Sequence, residues 1–248
     1  MHLPKKFYSG LSGLQLPISK AHFPPAYQDS SRLSYYASIF NSIEFNSSFY
    51  KVPLPTTVSK WSSSVPAPFK FTFKLWKQIT HTRGLVFQIE DLSLFFKALA
   101  GASENIGCVL LQFPPSLTQV NEGQLDMLLS QISELNKTQR WKIALEFRNK
   151  SWYTESVYRL LHQYKAAIVI HDKPNSATPK LEHSTDFIYL RFHGPTGNYR
   201  GTYTEDFLSE YATYLKEWLE VGKTVYVYFN NTMGDAFKNL QTLNQLMK

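Results

Sequence analysis

The chain predicts an α/β fold, a (β/α)8 TIM barrel with a polar site at the carboxyl ends of its strands, and three observations carry that prediction. Eight short runs rich in Val, Ile, Phe and Tyr recur at regular spacing along the sequence. Segments with apolar residues three and four apart separate most of them, and such alternation implies a parallel sheet. A length of 248 residues suits one α/β barrel, and eight strands with eight connections favour closure. An open doubly wound sheet is the alternative, because periodicity alone contains neither strand order nor closure.

In chain order the strand-like runs are "FYSGLSG" (7–13), "SIEFNSSF" (42–49), "KFTFKLW" (70–76), "GCVLLQF" (107–113), "KIALEFR" (142–148), "AAIVIHD" (166–172), "FIYLRFHG" (187–194) and "TVYVYFNN" (224–231). Leu92, Phe95, Phe96 and Leu99 predict a helix after the third run, and Leu125, Leu128, Leu129, Ile132 and Leu135 another after the fourth. Thr154 is placed to cap the next, with Glu155 near its positive end and Val157, Leu160, Leu161 and Tyr164 as its stripe. "TYTEDFLSEYATYLKEWLEVGK" predicts a longer helix closed by Gly222, and Phe237, Leu240, Leu243 and Leu246 line a final one. The link between the sixth and seventh runs is rich in Pro, Asn and Ser and predicts at most a brief helix. "HFPPAY" and "KVPLPTT" predict loops inside one unit, so residues 1–248 are expected to form a single domain without repeats.

Composition narrows the class. With 43% hydrophobic and 18% charged residues the chain can bury a large core. Its 15 Tyr and 5 Trp bring polar tips that need partners when buried, so a polar interior would suit them. The single cysteine, Cys108, excludes an intrachain disulfide, and its apolar surroundings predict an inert buried thiol. The amino terminus lacks the apolar region of a signal peptide and no stretch approaches a membrane span, so a cytoplasmic protein without membrane contact is expected. A net charge of +7 favours anionic partners, although the lysines form no dense tract.

In a barrel the helix-facing side of each strand is apolar, so polar residues of the other parity point inward. That rule turns Glu44, Asn46, Lys74, Gln112, Glu146, Arg148, Arg191, His193 and Asn230 toward the lumen, near the carboxyl ends of their strands. This is the end at which barrel enzymes hold their active sites. Isolated buried charges are costly, so each is expected to be paired, and Glu–Arg pairs that satisfy one another would form a polar plug without chemistry. Lys70 and Lys142 share the parity but lie at strand starts, toward the opposite end. On the sixth run either His171 or Asp172 points inward. His81 is a loop residue within reach of the mouth.

The motifs "GLSG", "EFNSSFY", "LLQFPPS", "EFRNKSW", "YLRFHG" and "YVYFNNT" resemble, in order and spacing, those of the YecE-like family, domain-of-unknown-function family 72. The resemblance spans nearly the whole chain and implies a TIM barrel, while it implies no established reaction. Glu44, Asn46, Phe49 and Tyr50 match its second-strand motif, and Glu146, Arg148, Ser151 and Trp152 its fifth. Arg191, His193 and Gly194 match the seventh and Asn230 the eighth. Where the family commonly reads Gly-Thr-Ser-Gly-Trp, this chain has Gly10, Leu11, Ser12, Gly13 and Leu14, without the aromatic residue.

The functional expectation is an enzyme acting on a small anionic or polyhydroxylated molecule, phosphorylated ones included. Glu44, Glu146 and His193 are its candidate acid–base groups. Asn46, Lys74, Gln112, Arg148, Asp172, Arg191, Asn230 and Trp152 are its candidate substrate contacts, with Lys and Arg as anion donors. "HGPTGNYRG" and "NNTMGDA" lie where barrels frequently bind phosphate, and each also reads as ordinary turn chemistry. No cofactor is called for. Glu44, Glu146, His171, Asp172 and His193 are of metal-ligand type but follow no metal-site spacing, so no metal is expected. Glu44 and Glu146 stand on runs too far apart around a barrel for a glycosidase pair. The alternatives are a nucleic-acid binding or processing barrel, using the basic charge with Tyr27, Trp76 and Trp152, and a noncatalytic ligand sensor. The sequence contains no signal of oligomeric state.

Overall fold

A computed structural model describes residues 3–138, 140–179 and 185–248. The strands are β1 (Phe7–Leu11), β2 (Ser42–Phe45), β3 (Lys70–Lys74), β4 (Ile106–Gln112), β5 (Lys142–Glu146), β6 (Ala167–His171), β7 (Phe187–Phe192) and β8 (Thr224–Phe229). Among the described residues the α-helices are α1 (Arg32–Ile39), α2 (Ser47–Tyr50), α3 (Pro55–Ser63), α4 (Lys77–Thr80), α5 (Ile89–Leu99), α6 (Glu122–Leu135), α7 (Glu155–Gln163), α8 (Glu205–Glu220) and α9 (Ala236–Leu246). The eight strands form one parallel sheet in the order β1-β8-β7-β6-β5-β4-β3-β2. An isolated parallel bridge between Ser12 and Glu44 joins its two edges into a barrel.

That seam is built mainly by side chains. Asn41 accepts from Ser9 N at 2.8 Å and donates to Phe7 O at 2.8 Å. The Tyr36 hydroxyl accepts from Leu11 N at 2.7 Å and donates to Ser42 O at 3.1 Å. Together they satisfy backbone groups that the short β1–β2 contact leaves without ladder partners. Gly10 is required here because a Cβ would collide with the Ser42 carbonyl.

Two apolar layers follow from strand alternation. The larger lies between sheet and helices and includes Ile43, Phe71, Phe73, Leu111, Leu145, Phe147, Leu190, Val227 and Phe229. The smaller fills the lumen and comprises Cys108, Leu110, Ala144, Ala167, Val169, Phe187, Tyr189, Tyr226 and Tyr228, with Tyr8 against it. Polar side chains at the edge of this layer supply the partners that the buried tyrosine hydroxyls need. Tyr228 OH lies 2.6 Å from Ser42 Oγ and 2.8 Å from Thr72 Oγ1. Burial raises the Cys108 thiol pKa and keeps it inert.

The predicted helices form, with Thr154 capping α7 through Val157 N and Gly222 following α8 at φ +83°. Three local expectations need correction. The second strand ends at Phe45, and Ser47–Tyr50 turns as α2. "KVPLPTT" is only partly loop, because Pro55 opens α3 in the first turn, where its missing N–H leaves no helical bond unmade. Leu135, the last residue of α6, is exposed and so falls outside the buried stripe of Leu125, Leu128, Leu129 and Ile132. Between β6 and β7 the described residues 173–179 contain no helix, and 180–184 lie outside the described residues.

Candidate functional site at the carboxyl end of the barrel

Arg191 occupies the centre of the inward-facing polar end. Its NH2 donates to Glu44 Oε1 at 2.7 Å and its NH1 to Glu146 Oε2 at 2.6 Å. All three side chains are essentially inaccessible to solvent. Glu44 and Glu146 therefore meet on two nitrogens of one guanidinium, although their strands are far apart in the sheet. Tyr189 OH donates to Glu44 Oε2 at 2.5 Å, and Glu146 Oε1 is in ion contact with Arg148 but receives no well-directed hydrogen bond. Burial opposes ionisation of Glu146, but Arg148 and Arg191 outweigh it and hold its carboxyl well below the usual range. For Arg191 the order is the same: burial disfavours its charge, and Glu146 and Glu44 overcome that.

His193 lies beside this network with its protonation settled by its partners. Asp172 Oδ1, 3.2 Å from Nδ1, can only accept, so Nδ1 carries the hydrogen. A guanidinium can only donate, so Nε2 accepts from Arg148 NH2 at 3.0 Å, with Arg191 NH1 at 3.4 Å. The ring is neutral. Burial lowers its pKa to about 4 against the opposing pull of Glu146 and Asp172. Asp172 also accepts from His193 N at 2.8 Å and from the Tyr203 hydroxyl, which itself accepts from Gly194 N at 2.6 Å.

His171 and Asp172 both face functional neighbours, by different routes. Strand parity turns His171 inward with Ala167 and Val169, and it ties β5 to the loop after β6. Its Nε2 donates to Phe147 O at 3.0 Å and its Nδ1 accepts from Lys173 N at 3.3 Å. Asp172, one residue past β6, is free of the pleat and swings onto His193.

Lys74 is mostly buried at the end of β3. It donates to Gln112 Oε1 at 2.8 Å, and its Nζ lies 4.1 Å from the centre of the Phe49 ring. Burial, then Arg191, lower its pKa to about 8 in spite of Glu146 and Glu44. His81 also packs on Phe49, 4.8 Å between ring centres, and burial with Lys74 lowers its pKa to about 4. Asn46 lies at the barrel seam, donating weakly to Ser12 O at 3.4 Å, and its Oδ1 is buried without a partner. Asn230 continues the inward parity of Tyr226 and Tyr228, and its backbone N donates to Phe192 O at 2.7 Å.

A cavity of about 560 Å³ opens over this end, lined by Gln112, Arg148, Lys173, Ser176, Gly197 and Tyr199 among others. Lys173 lies 4.3 Å from the Tyr199 ring centre and donates to Gly197 O at 2.5 Å. Lys173, Tyr199, Tyr189 and Tyr203 are absent from the sequence expectation. Tyr189 had a signal, standing two residues before Arg191 on the same face. Tyr203 had none, because only the fold of the loop after β7 returns it to Asp172.

Trp152, expected as a substrate contact, lies outside the polar end of the barrel. It is 0% exposed, stacks on Phe147 with 4.9 Å between ring centres and donates from Nε1 to Leu117 O at 2.9 Å. It packs in the layer outside the strands, so neither a substrate nor a stacked base reaches it. "NNTMGDA" also acts as a turn: the N–H groups of Met233, Gly234 and Asp235 are engaged by Tyr199 O, Asn231 O and Gly201 O. The Asp235 carboxylate at the start of α9 further disfavours an anion there. Lys142 pairs with Asp186 at 2.9 Å and Lys70 donates to Glu104 O at 2.8 Å, at the far end of the barrel. Among the described residues no group of three or more His, Cys, Asp or Glu side chains is gathered as a metal ion requires, and no helix is long and apolar enough to cross a membrane.

The family model for "Protein of unknown function DUF72" matches residues 8–248. The chain belongs to this family. The UPF0759 protein YunF of Bacillus subtilis is 29% identical over 259 residues, covering 91% of this chain and 89% of that protein. The UPF0759 protein YecE of Escherichia coli K12 is 30% identical over 82 residues, covering 33% of this chain and 30% of its own. A DUF72 family protein from Thermotoga maritima superposes with a TM-score of 0.78 at 25% identity, covering 98% of this chain and 99% of that one. One from Enterococcus faecalis reaches 0.79 at 21% identity, covering 97% and 95%. A xylose isomerase domain containing protein from Salmonella typhimurium matches at 0.53 and 8% identity over 100% of this chain and 96% of its own, a likeness of barrel fold alone. The DUF72 barrel thus agrees with the motif resemblance. Leu14 is partly buried against the outer core.

Proposed function

We propose that this DUF72 barrel is an enzyme acting on a small anionic or polyhydroxylated substrate, phosphorylated compounds among them, at the carboxyl end of its strands. The observation that carries the proposal is neutral His193, oriented through Nδ1 by Asp172 with its Nε2 turned to Arg148 and Arg191 beneath an open cavity. A fixed tautomer whose Nε2 lone pair rests on Arg148, a residue that lines the cavity, can serve as a general base once that arginine is drawn away. Arg148 lines the cavity, and its guanidinium is the type of donor that suits an anion.

In this reading an arriving anion draws Arg148 away from His193. Nε2 is then free to take a proton from the bound substrate, with Asp172 stabilising the imidazolium. Glu146, held ionised by Arg148 and Arg191, and Glu44, clamped on Arg191, serve as counterions that position the cationic groups. A pair of carboxylates clamped on one guanidinium is poorly suited to the acid–base role their strand positions suggest.

Thermal shift with inorganic phosphate and a panel of sugar phosphates tests the anion site, with sodium chloride as the ionic-strength control. A ligand at 100 times its Kd stabilises by about 2.7 kcal/mol, and R148K should remove most of that stabilisation. Absence of stabilisation by any phosphorylated compound would sink the anionic-substrate proposal. Once a ligand is found, H193Q separates enzyme from sensor: retained affinity with lost turnover supports catalysis, and no turnover in the wild type supports a sensor.

A further inference from the structure

Lys74 has no role in the proton transfer assigned to His193, and its surroundings are unusual for a lysine. Among the described residues no carboxylate lies within ion-pair reach of its Nζ. The amine has one hydrogen bond, to the neutral Gln112 amide, and one aromatic face, Phe49, against it. Its charged neighbours on the same inward end include two guanidinia, Arg191 and Arg148, and the two carboxylates there are clamped on those arginines. The side chain is not sealed off: it retains partial exposure, and Gln112 lines the cavity over the site. A lysine in a desolvated pocket beside other cations is the arrangement that releases a free amine near neutral pH.

We infer that Lys74 is a nucleophile that forms a Schiff base with the carbonyl group of a small anionic aldehyde or ketone. This rests on the anionic-substrate reading and deepens it by naming the reactive group of the substrate. The neutral Nζ attacks the carbonyl carbon, a C–N bond forms, and the carbonyl π pair moves to oxygen, which takes up a proton. The resulting carbinolamine loses water, whose hydrogens include the two originally on nitrogen, and a C=N bond remains. The anionic part of the molecule lies toward Arg148 and Lys173. Burial and Arg191 hold the Lys74 pKa near 8, which leaves far more free amine at neutral pH than an exposed lysine has.

The test is trapping on the full chain. The protein is incubated with pyridoxal 5′-phosphate as a phosphorylated aldehyde, or with pyruvate as a carboxylated ketone, reduced with borohydride or cyanoborohydride, and mapped by peptide mass spectrometry. The expected result is a secondary amine on Lys74 in near-stoichiometric amount, formed on the order of tenfold faster than on exposed lysines. It should be absent from K74R, a variant that keeps the charge. If K74R does not fold, the peptide map of the wild type still names the residue. Which probe reacts distinguishes a phosphate from a carboxylate as the anionic partner. Labelling of exposed lysines alone, with Lys74 unmodified by both probes, overturns the inference; if phosphate still stabilises the protein, the anionic-substrate reading survives that result. Labelling of Lys74 by unphosphorylated pyridoxal as well as by its phosphate, without protection by inorganic phosphate, supports the Schiff base and removes the anion.

Discussion

Replacing Arg191 with Met leaves Glu44 buried without its cation while retaining most of the side-chain volume. Arg191 makes two charge-assisted hydrogen bonds, at 2.7 Å to Glu44 and 2.6 Å to Glu146. Each such bond contributes about 1.5–3 kcal/mol, and breaking a buried ion pair costs about 3–5 kcal/mol. Glu146 keeps Arg148, whereas among the described residues Glu44 keeps only the Tyr189 hydroxyl as a side-chain partner. A buried carboxylate in that position neutralises, which limits the loss: protonating an ordinary Glu at pH 7 takes about 4 kcal/mol. R191M should therefore lose about 3–5 kcal/mol at pH 7 and distinctly less at pH 5, where protonation costs only about 1 kcal/mol. For a chain of this size that is a fall in Tm of about 6–20 °C. Urea unfolding at both pH values measures it, and the double variant E44Q/R191M should recover the part due to the stranded charge. A loss below about 1 kcal/mol at pH 7, or no recovery on adding E44Q, would show that the network is not the buried, mutually dependent unit described.

The pH dependence of stability carries a second prediction. His193 titrates near 6.5 when unfolded and near 4 when folded, so the unfolded chain binds more protons between those values. Its contribution is full above pH 6.5 and is lost as pH falls to 4, on the order of 3 kcal/mol; H193N should flatten the urea-unfolding profile in that window. For Lys74 the depressed value near 8 likewise makes stability rise with pH, here from about 8 to 10.4. K74M should accordingly be more stable than wild type at pH 7, by about 1–3 kcal/mol, with the advantage gone by pH 10.5, as read from thermal melts. W152F should cost about 1–2 kcal/mol in stability, from the lost bond to Leu117 O and reduced stacking. It should leave phosphate-induced thermal shifts unchanged; a reduced shift would return Trp152 to the site.

The site was legible wherever strand alternation reached it. Lys74 shares a face with Thr72, Gln112 with Leu110, and Arg191 and His193 with Tyr189, and those parities hold in the barrel. Past a strand end alternation holds at some positions, such as Arg148 and His193, and breaks at others, because the chain is no longer bound to the pleat. Asp172 and Trp152 are such cases: one residue beyond β6 a carboxylate returns to the lumen, and beyond β5 an indole leaves it. The start of α3 was hidden because Pro55 signals a break from local sequence alone, although the same residue is well suited to a helix's first turn.

By itself the sequence determined the alternation of strands and helices and the inward faces, because burial writes itself into a strand residue by residue at a period of two, and its motifs pointed to the family. Partnership was decided only in three dimensions. Closing the sheet brings Glu44 of β2 and Glu146 of β5 onto Arg191 of β7, and the loop after β7 brings Tyr203 to Asp172. Those distances depend on strand stagger and barrel closure, which no local pattern contains. They are what separates a clamped pair of carboxylates from a neutral, oriented histidine at the same end of the fold.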